Sequence, residues 1–282
     1  MKKLLITGAN GQLGRDLAIR APEAVLISRQ DLDITDRDAV LACLYTHKPE
    51  VVIHTAAMTA VDSCESEPDR AFTTNGLATR WMVEAADVVG ARLITISTDY
   101  VFSGEPEGPD HPWHEWDAPD PRSIYGASKL AGESELRPND TIVRTAWLAG
   151  IHGPNIVKTV LSMGLSGAEM KFVDDQIGSP TFTSDLADTL LWIADEGITG
   201  IVHATNEGYT SWFGYVQAIL YAAGIDPALV SRISTHDLNP PRLARRPRYS
   251  VMDNTVLRSM DHQLPHYLET LEHSIGEIVA SI

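Results

Sequence analysis

Cysteine is almost absent. Cys43 and Cys64 are the two in 282 residues, which excludes a disulfide framework and fits a reducing compartment. Both read as small buried or partly buried residues rather than reactive thiols. Long apolar runs are also lacking. The opening Met1-Lys-Lys-Leu-Leu-Ile6 imitates a signal peptide, but Thr7-Gly8 stops the run, far short of an export segment. No stretch approaches the length of a membrane span. Basic residues are the third shortage: 22 Lys and Arg stand against 38 Asp and Glu, a formal charge of −16. That balance argues against nucleic acid or an anionic membrane as partner. A small anionic ligand stays compatible with it, because local amides and a few arginines outweigh the global field. Internal repeats and low-complexity linkers are missing as well. A soluble, cytoplasmic protein is the expectation.

What is present is ordinary globular material, 44% hydrophobic and 21% charged. Short β-rich runs at residues 3–7, 24–28, 51–55, 92–97 and 141–144 alternate with helical patterns at 12–20, 36–46, 68–89 and 124–135. Apolar strands alternating with helices of ten or more residues predict βαβ units and a doubly wound parallel sheet covered on both faces. The Pro- and Asp-rich stretch 104–121 reads as a long loop near the carboxyl edge of that sheet, where open α/β sheets place ligands. Beyond residue 150 the alternation loosens, with helices near 155–166, 184–196, 211–223 and 265–282. A strand expected at 200–204 rejoins the sheet. The expected division is a nucleotide-binding domain over residues 1–149 and, over 150–282, mainly a smaller substrate lobe, with a segment near 181–206 returning to the first domain.

The first strand runs straight into Gly8-Ala-Asn10-Gly11-Gln12-Leu13-Gly14. Glycines in a strand–loop–helix setting allow a tight turn and bring backbone amides up to a pyrophosphate at the positive helix end. At the end of the second strand an acid normally binds free ribose hydroxyls. Arg29 stands there instead and suits a 2′-phosphate, so NADPH is favoured over NADH. Asp33 and Ile34 can flank the adenine, although Asp33 and Thr35 also suit a helix cap. The small residues Ala56, Ala57 and Met58 after the third strand let a cofactor lie close to the sheet edge. His54 reads as a strand residue with a satisfied ring. Tyr125 and Lys129 are four apart, on one face of a helix. An ammonium beside a phenol lowers the phenol pKa from about 10 and makes it a proton donor or acceptor. The Thr98 hydroxyl, after the fourth strand, can share a substrate oxygen with Tyr125.

Together the glycines, Ser97-Thr98-Asp99-Tyr-Val-Phe102 and Tyr125-x-x-x-Lys129 resemble the extended short-chain dehydrogenase/reductase superfamily, a Rossmann-type fold. Residues 60–68, Arg144-Thr-Ala-Trp147, Asp175-Gln-Ile-Gly-Ser-Pro-Thr181 and Arg246-Pro-Arg-Tyr-Ser250 narrow the resemblance to the dTDP-4-dehydrorhamnose reductase family, over nearly the whole chain. The resemblance implies that NADPH or NADH reduces C4 of dTDP-4-dehydro-L-rhamnose, a dTDP-linked 4-keto-6-deoxy sugar. By position, Tyr125 donates the proton, Lys129 binds the nicotinamide ribose and lowers the tyrosine pKa, and Thr98 assists. Thr98, Asp99 and Trp147 contact the sugar nucleotide, while Gly11, Gln12, Leu13, Arg29, Asp33, Ile34, Ala56, Ala57 and Met58 line the cofactor. Some members hold magnesium through acids at a dimer contact. Asp16 matches one such acid, but Ser184 stands where another belongs, so no metal and no metal-dependent dimer is expected; a monomer or weak homodimer is. Arg242, Arg245, Arg246 and Arg248 suit a nucleotide diphosphate or a solvated loop equally. The alternatives are a reductase or epimerase for another dTDP-deoxyhexose, and a non-catalytic partner like the methionine adenosyltransferase β subunit.

Overall fold

The computed structural model describes residues 2–105 and 111–282. Residues 106–110, inside the expected 104–121 loop, lie outside the described residues. From the first half come β1 (Leu4–Thr7), β2 (Val25–Ile27), β3 (Val51–His54), β4 (Arg92–Thr98) and β5 (Thr141–Thr145). The second half contributes β6 (Leu148–Ala149), β7 (Met170–Val173), β8 (Ile177–Gly178), β9 (Thr181–Phe182), β10 (Gly200–His203), β11 (Thr210–Ser211) and β12 (Val230–Ile233). The main sheet is parallel throughout, in the order β2-β1-β3-β4-β5-β10. Three two-stranded ladders, β6 with β9, β7 with β12 and β8 with β11, lie outside it.

The strand side chains explain the layering. Successive residues point to opposite faces, so Ile6, Ile53 and Ile94 enter one core while Leu5, Val52 and Leu93 enter another. The first core is closed by α1 (Gln12–Arg20) and, from the second half, by Leu186, Leu190 and Ile193. The second is closed by Val40 and Leu44 of α2 (Arg37–His47) and by Met82. Burial on both faces is why these strands read as continuous apolar runs.

Between β3 and β4 the chain forms α3 (Val61–Ser66), α4 (Pro68–Phe72), a π-helical turn Thr73–Leu77 and α5 (Ala78–Val89). The helix expected over 68–89 is therefore real but carries a π turn, and α3 precedes it. After β4, α6 (Ile124–Glu133) opens on Ser123, whose hydroxyl accepts the Gly126 amide at 3.1 Å. Next come α7 (Ile156–Leu165), α8 (Thr183–Glu196), α9 (Trp212–Ala222), α10 (Thr255–Ser259) and α11 (Tyr267–Ala280). Helices α7, α9 and α11 build a separate core around Leu161, Tyr215, Ile219 and Leu271. Residues 183–203 instead serve the sheet, through α8 on α1 and β10 beside β5. Among the described residues, no helix is long and apolar enough to cross a membrane.

Strand order reverses where β1 lies between β2 and β3. In open α/β sheets a ligand crevice forms outside the carboxyl ends at that point.

Candidate active site

A cleft of about 860 Å³ occupies that crevice. At its floor, β1 turns at Gly8, whose φ of +69° is open to glycine at no steric cost. A Cβ there would stand 2.6 Å from Thr55 Oγ1 and 2.8 Å from the Ala56 nitrogen, and one at Gly14 would meet the Gly8 carbonyl. The loop therefore packs backbone on backbone, leaving a cradle that side chains do not fill. Helix α1 starts at Gln12 behind Gly11, which caps it without a side chain, so its leading amides are available to an anion. Asn155 Nδ2 donates to Gln12 Oε1 at 3.2 Å, tying the loop to the second lobe.

Around the rim lie Arg29, Asp33, Ile34, Ala56, Ala57 and Met58. Arg29 is exposed just beyond the end of β2. Asp31 Oδ2 accepts the Ser28 amide at 2.9 Å and its hydroxyl at 2.6 Å, and Asp31 is not among the residues lining this cleft. Asp33 accepts from the Thr35 amide and hydroxyl at 2.9 and 2.7 Å. The cap of α2 belongs to Asp36, which accepts the Ala39 amide. The helix-cap role expected of Asp33 is thus corrected to a local turn.

The far end of the cleft holds Thr98, Asp99, Tyr125, Lys129 and Trp147. The loop residues Gly8, Asn10, Gly11, Gln12, Leu13 and Gly14, the rim residues and this catalytic set all line one cleft, whereas Arg242, Arg245, Arg246 and Arg248, offered from the sequence for a nucleotide diphosphate, are not among the residues lining it. Tyr125 meets Tyr100 edge-to-face at 5.4 Å and shares a hydrogen bond with Thr98. The expectation that Lys129 lowers the tyrosine pKa is overturned. Burial pushes Tyr125 above its usual value, Asp99 adds to the rise, and the Thr98 bond only partly offsets it. Desolvation disfavours the phenolate, and the ammonium that was to compensate is itself buried and pushed down to about 8, with Glu133 opposing the fall. The resting phenol is therefore neutral, with its proton to give. Asp99 is raised to about 6 by burial against bonds from Ser250 and Thr98.

His54 is neutral: burial and then the charge of Lys129 depress it to about 3. Its Nδ1 meets Thr7 Oγ1 at 2.7 Å, while Nε2 has no hydrogen-bond partner among the described residues. The ring is half satisfied, not fully as expected. In the basic loop, Arg246 and Arg242 face Asp62 of α3 at 2.8 and 3.8 Å, and Arg245 pairs with Glu105. Arg246 also lies over the Tyr100 ring at 5.9 Å. Asp16 is occupied by protein, with its carboxylate accepting from Thr183 at 2.6 Å and pairing with Arg20 at 3.2 Å.

Trp147 sits between β5 and β6 with φ +47°, a left-handed backbone that costs a bulky residue on the order of 1–3 kcal/mol. Its indole stacks on Trp212 at 3.7 Å and 10°, and an aromatic pair contributes about 0.5–1.5 kcal/mol beyond area burial. The two are of one size, so the stack can hold the strained turn.

Sequence reasoning missed Asn75, Glu133 and Trp212. Asn75 lies in the π turn. Its Oδ1 accepts the Met58 amide at 2.8 Å, and its Nδ2 donates to Met58 O at 3.1 Å and Ser128 Oγ at 2.9 Å. It thereby joins the cofactor rim to the helix of Tyr125 and Lys129, as π turns often do near functional sites. A buried asparagine inside an apolar helix pattern was the one available signal. Glu133 gave a signal in its spacing, four residues after Lys129; Trp212 gave none.

The fold and site define an extended short-chain dehydrogenase/reductase: a Rossmann-type sheet, a glycine cradle, and a Thr–Tyr–Lys set at the open end. The chain belongs to the family described as RmlD substrate binding domain, which matches residues 1–280. The dTDP-4-dehydrorhamnose reductase of Streptomyces griseus is 42% identical, over 89% of this chain and 85% of that protein. The crystal structure of a dTDP-4-dehydrorhamnose reductase from Clostridium acetobutylicum superposes with a TM-score of 0.92 at 41% identity, covering 97% of this chain and 98% of that one. That of Bacillus anthracis, in complex with NADP, gives 0.90 at 37% identity, covering 98% and 99%.

Proposed function

We propose that the protein reduces the C4 ketone of dTDP-4-dehydro-L-rhamnose to dTDP-L-rhamnose, using NADPH. The observation that carries this reading is the convergence of Tyr125, Thr98 and Lys129 with the Gly8–Gly14 cradle in one cleft. The 37–42% identity to reductases of that name supports the substrate, and the NADP-bound relative supports the cofactor.

Gly11, Gln12 and Leu13 hold the pyrophosphate through the leading amides of α1. Arg29 takes the 2′-phosphate, and Asp33, Ile34 and Ala56–Ala57–Met58 bound the adenosine end. NADPH, when bound, supplies the hydride that forms the new C4–H bond. As the carbonyl π electrons move to O4, the Tyr125 phenol gives its proton to that oxygen. The phenolate regains a proton from solvent, so two electrons and two hydrogens are accounted for. Thr98 hydrogen-bonds the same oxygen and stabilises the charge developing there. Lys129 binds the nicotinamide ribose. Asp99 and Trp147 position the sugar. The lobe of residues 150–282 supplies the nucleotide-sugar side of the cleft, and the enzyme works in the cytoplasm as a monomer or weak dimer.

The test is spectrophotometric NADPH oxidation with enzymatically generated dTDP-4-dehydro-L-rhamnose. Stoichiometric consumption is expected, which also separates reduction from epimerisation, where the nucleotide is regenerated. Absence of turnover with this and other dTDP-4-keto sugars, with co-purification of a synthetase, would transfer the protein to the non-catalytic class.

A further inference from the structure

We propose that Trp212 is a positioning residue for the sugar: it fixes the Trp147 indole as an aromatic wall of the cleft, and Gly178 keeps the space that this wall needs. The inference deepens the nucleotide-sugar reading and rests on it.

Two observations converge on Trp147. Its backbone is left-handed at φ +47°, so the turn from β5 into β6 is held by something outside itself. Its side chain supplies the hold, stacked face to face on Trp212, and both indoles line the cleft. Trp212 is an anchored partner. It is the first residue of α9, its amide donates to Gln176 O at 3.3 Å, and the preceding Ser211 caps the helix through the Gly214 amide. Ser211 also donates to Asp174 Oδ1 at 2.5 Å and lies opposite Ile177 in the β8–β11 ladder.

The edge of the Trp147 indole is constrained as well. A Cβ at Gly178 would stand 2.7 Å from Cε2, 2.8 Å from Nε1 and 2.9 Å from Ser250 Oγ. Ser250 in turn hydrogen-bonds Asp99. The ring is therefore set by a stacked neighbour on one face and by strand backbone at its nitrogen edge. It stands in the wall that also carries Thr98, Asp99 and Tyr125. A strained, doubly clamped and only partly buried tryptophan makes sense as a surface held ready for a ligand. A deoxy-sugar presents C–H groups and a methyl, which suit an apolar aromatic surface.

The experiment compares intact wild-type, Trp212→Ala, Trp212→Phe and Gly178→Ala proteins. Readouts are NADPH oxidation, calorimetric binding of dTDP-L-rhamnose and of dTDP alone, and far-UV circular dichroism, where stacked indoles give an exciton couplet. Trp212→Ala is expected to abolish the couplet and raise KM for the sugar nucleotide about 10-fold, the size of one lost aromatic stack. The KM for NADPH and affinity for dTDP alone should stay near wild type. Trp212→Phe should recover most of the sugar KM, and Gly178→Ala should raise it without removing Trp212. Loss of the couplet with unchanged sugar KM and unchanged dTDP-L-rhamnose affinity overturns the positioning role. An equal loss of dTDP affinity overturns it too, since a merely structural effect is not selective for the sugar. Wild-type protein that neither turns over nor binds a dTDP-linked sugar overturns the underlying functional reading instead, and this inference with it.

Discussion

Glu133 and Arg144 face each other out of contact with water, the guanidinium donating to both carboxylate oxygens at 3.0 and 2.7 Å. Arg144 is 1% exposed and Glu133 is 7% exposed. Ser97 Oγ donates to the same carboxylate at 2.5 Å. The cluster joins α6, which carries Tyr125 and Lys129, to β4, which ends at Thr98, and to β5, which leads to Trp147. Removing one member strands a buried charge, a loss of about 3–5 kcal/mol. Glu133→Ala is therefore expected to lower unfolding free energy by about that amount in urea titration. A change under about 1 kcal/mol, the range of an exposed pair, would contradict it.

Tyr125→Phe removes the proton donor and keeps the ring in its edge-to-face contact with Tyr100. A fall in kcat of at least about 100-fold is expected, with NADPH affinity nearly intact. Because burial raises the tyrosine pKa, its ionisation should also leave no limb in the pH–rate profile near neutrality. Unchanged turnover in the variant rules the role out.

Lys129 carries its charge under a burial penalty that brings its pKa down to about 8. The lysine therefore sheds its proton at lower pH than a solvated one, and the cationic form dominates only below about 8. With free-enzyme groups reported by kcat/KM, kcat/KM for NADPH should decline as pH rises through that value. Lys129→Met should remove the decline and weaken both cofactor binding and turnover. A flat profile up to the pKa of ordinary lysine, about 10.4, counts against it.

Arg29 lines the cleft beside Asp33, while the other acid close by in the chain, Asp31, is occupied by Ser28. Arg29→Ala should reduce the ratio of kcat/KM for NADPH over NADH by about 10-fold, the loss of a charge-assisted contact. If that ratio does not move, Arg29 is a solvated surface residue.

Much of this was legible in the chain itself, for a definite reason. The alternating strands and helices of the first 150 residues follow from local periodicity, and the glycine loop from a backbone requirement that one residue type meets. Tyr125 and Lys129 share a helix face by spacing alone. The electrostatics were not legible in the same way. A four-residue interval suggested a depressed phenol pKa, yet desolvation, which depends on everything packed around the ring, reversed the sign. Asn75 escaped because a π turn breaks the register by which helical faces are read.

The sequence by itself determined the class: a doubly wound parallel sheet, a nucleotide cradle after the first strand, and a tyrosine–lysine pair on a helix following the fourth. Each of these is local in the chain, set by periodicity, glycine sterics or helical spacing. Tertiary structure alone decided how the site is held. Glu133 on Arg144, Trp147 on Trp212, and Asp62 against Arg246, 184 positions away, are pairings between distant segments. Burial then sets the protonation of Tyr125 and Lys129, because the cost of removing a charge from water belongs to the surroundings and not to the residue.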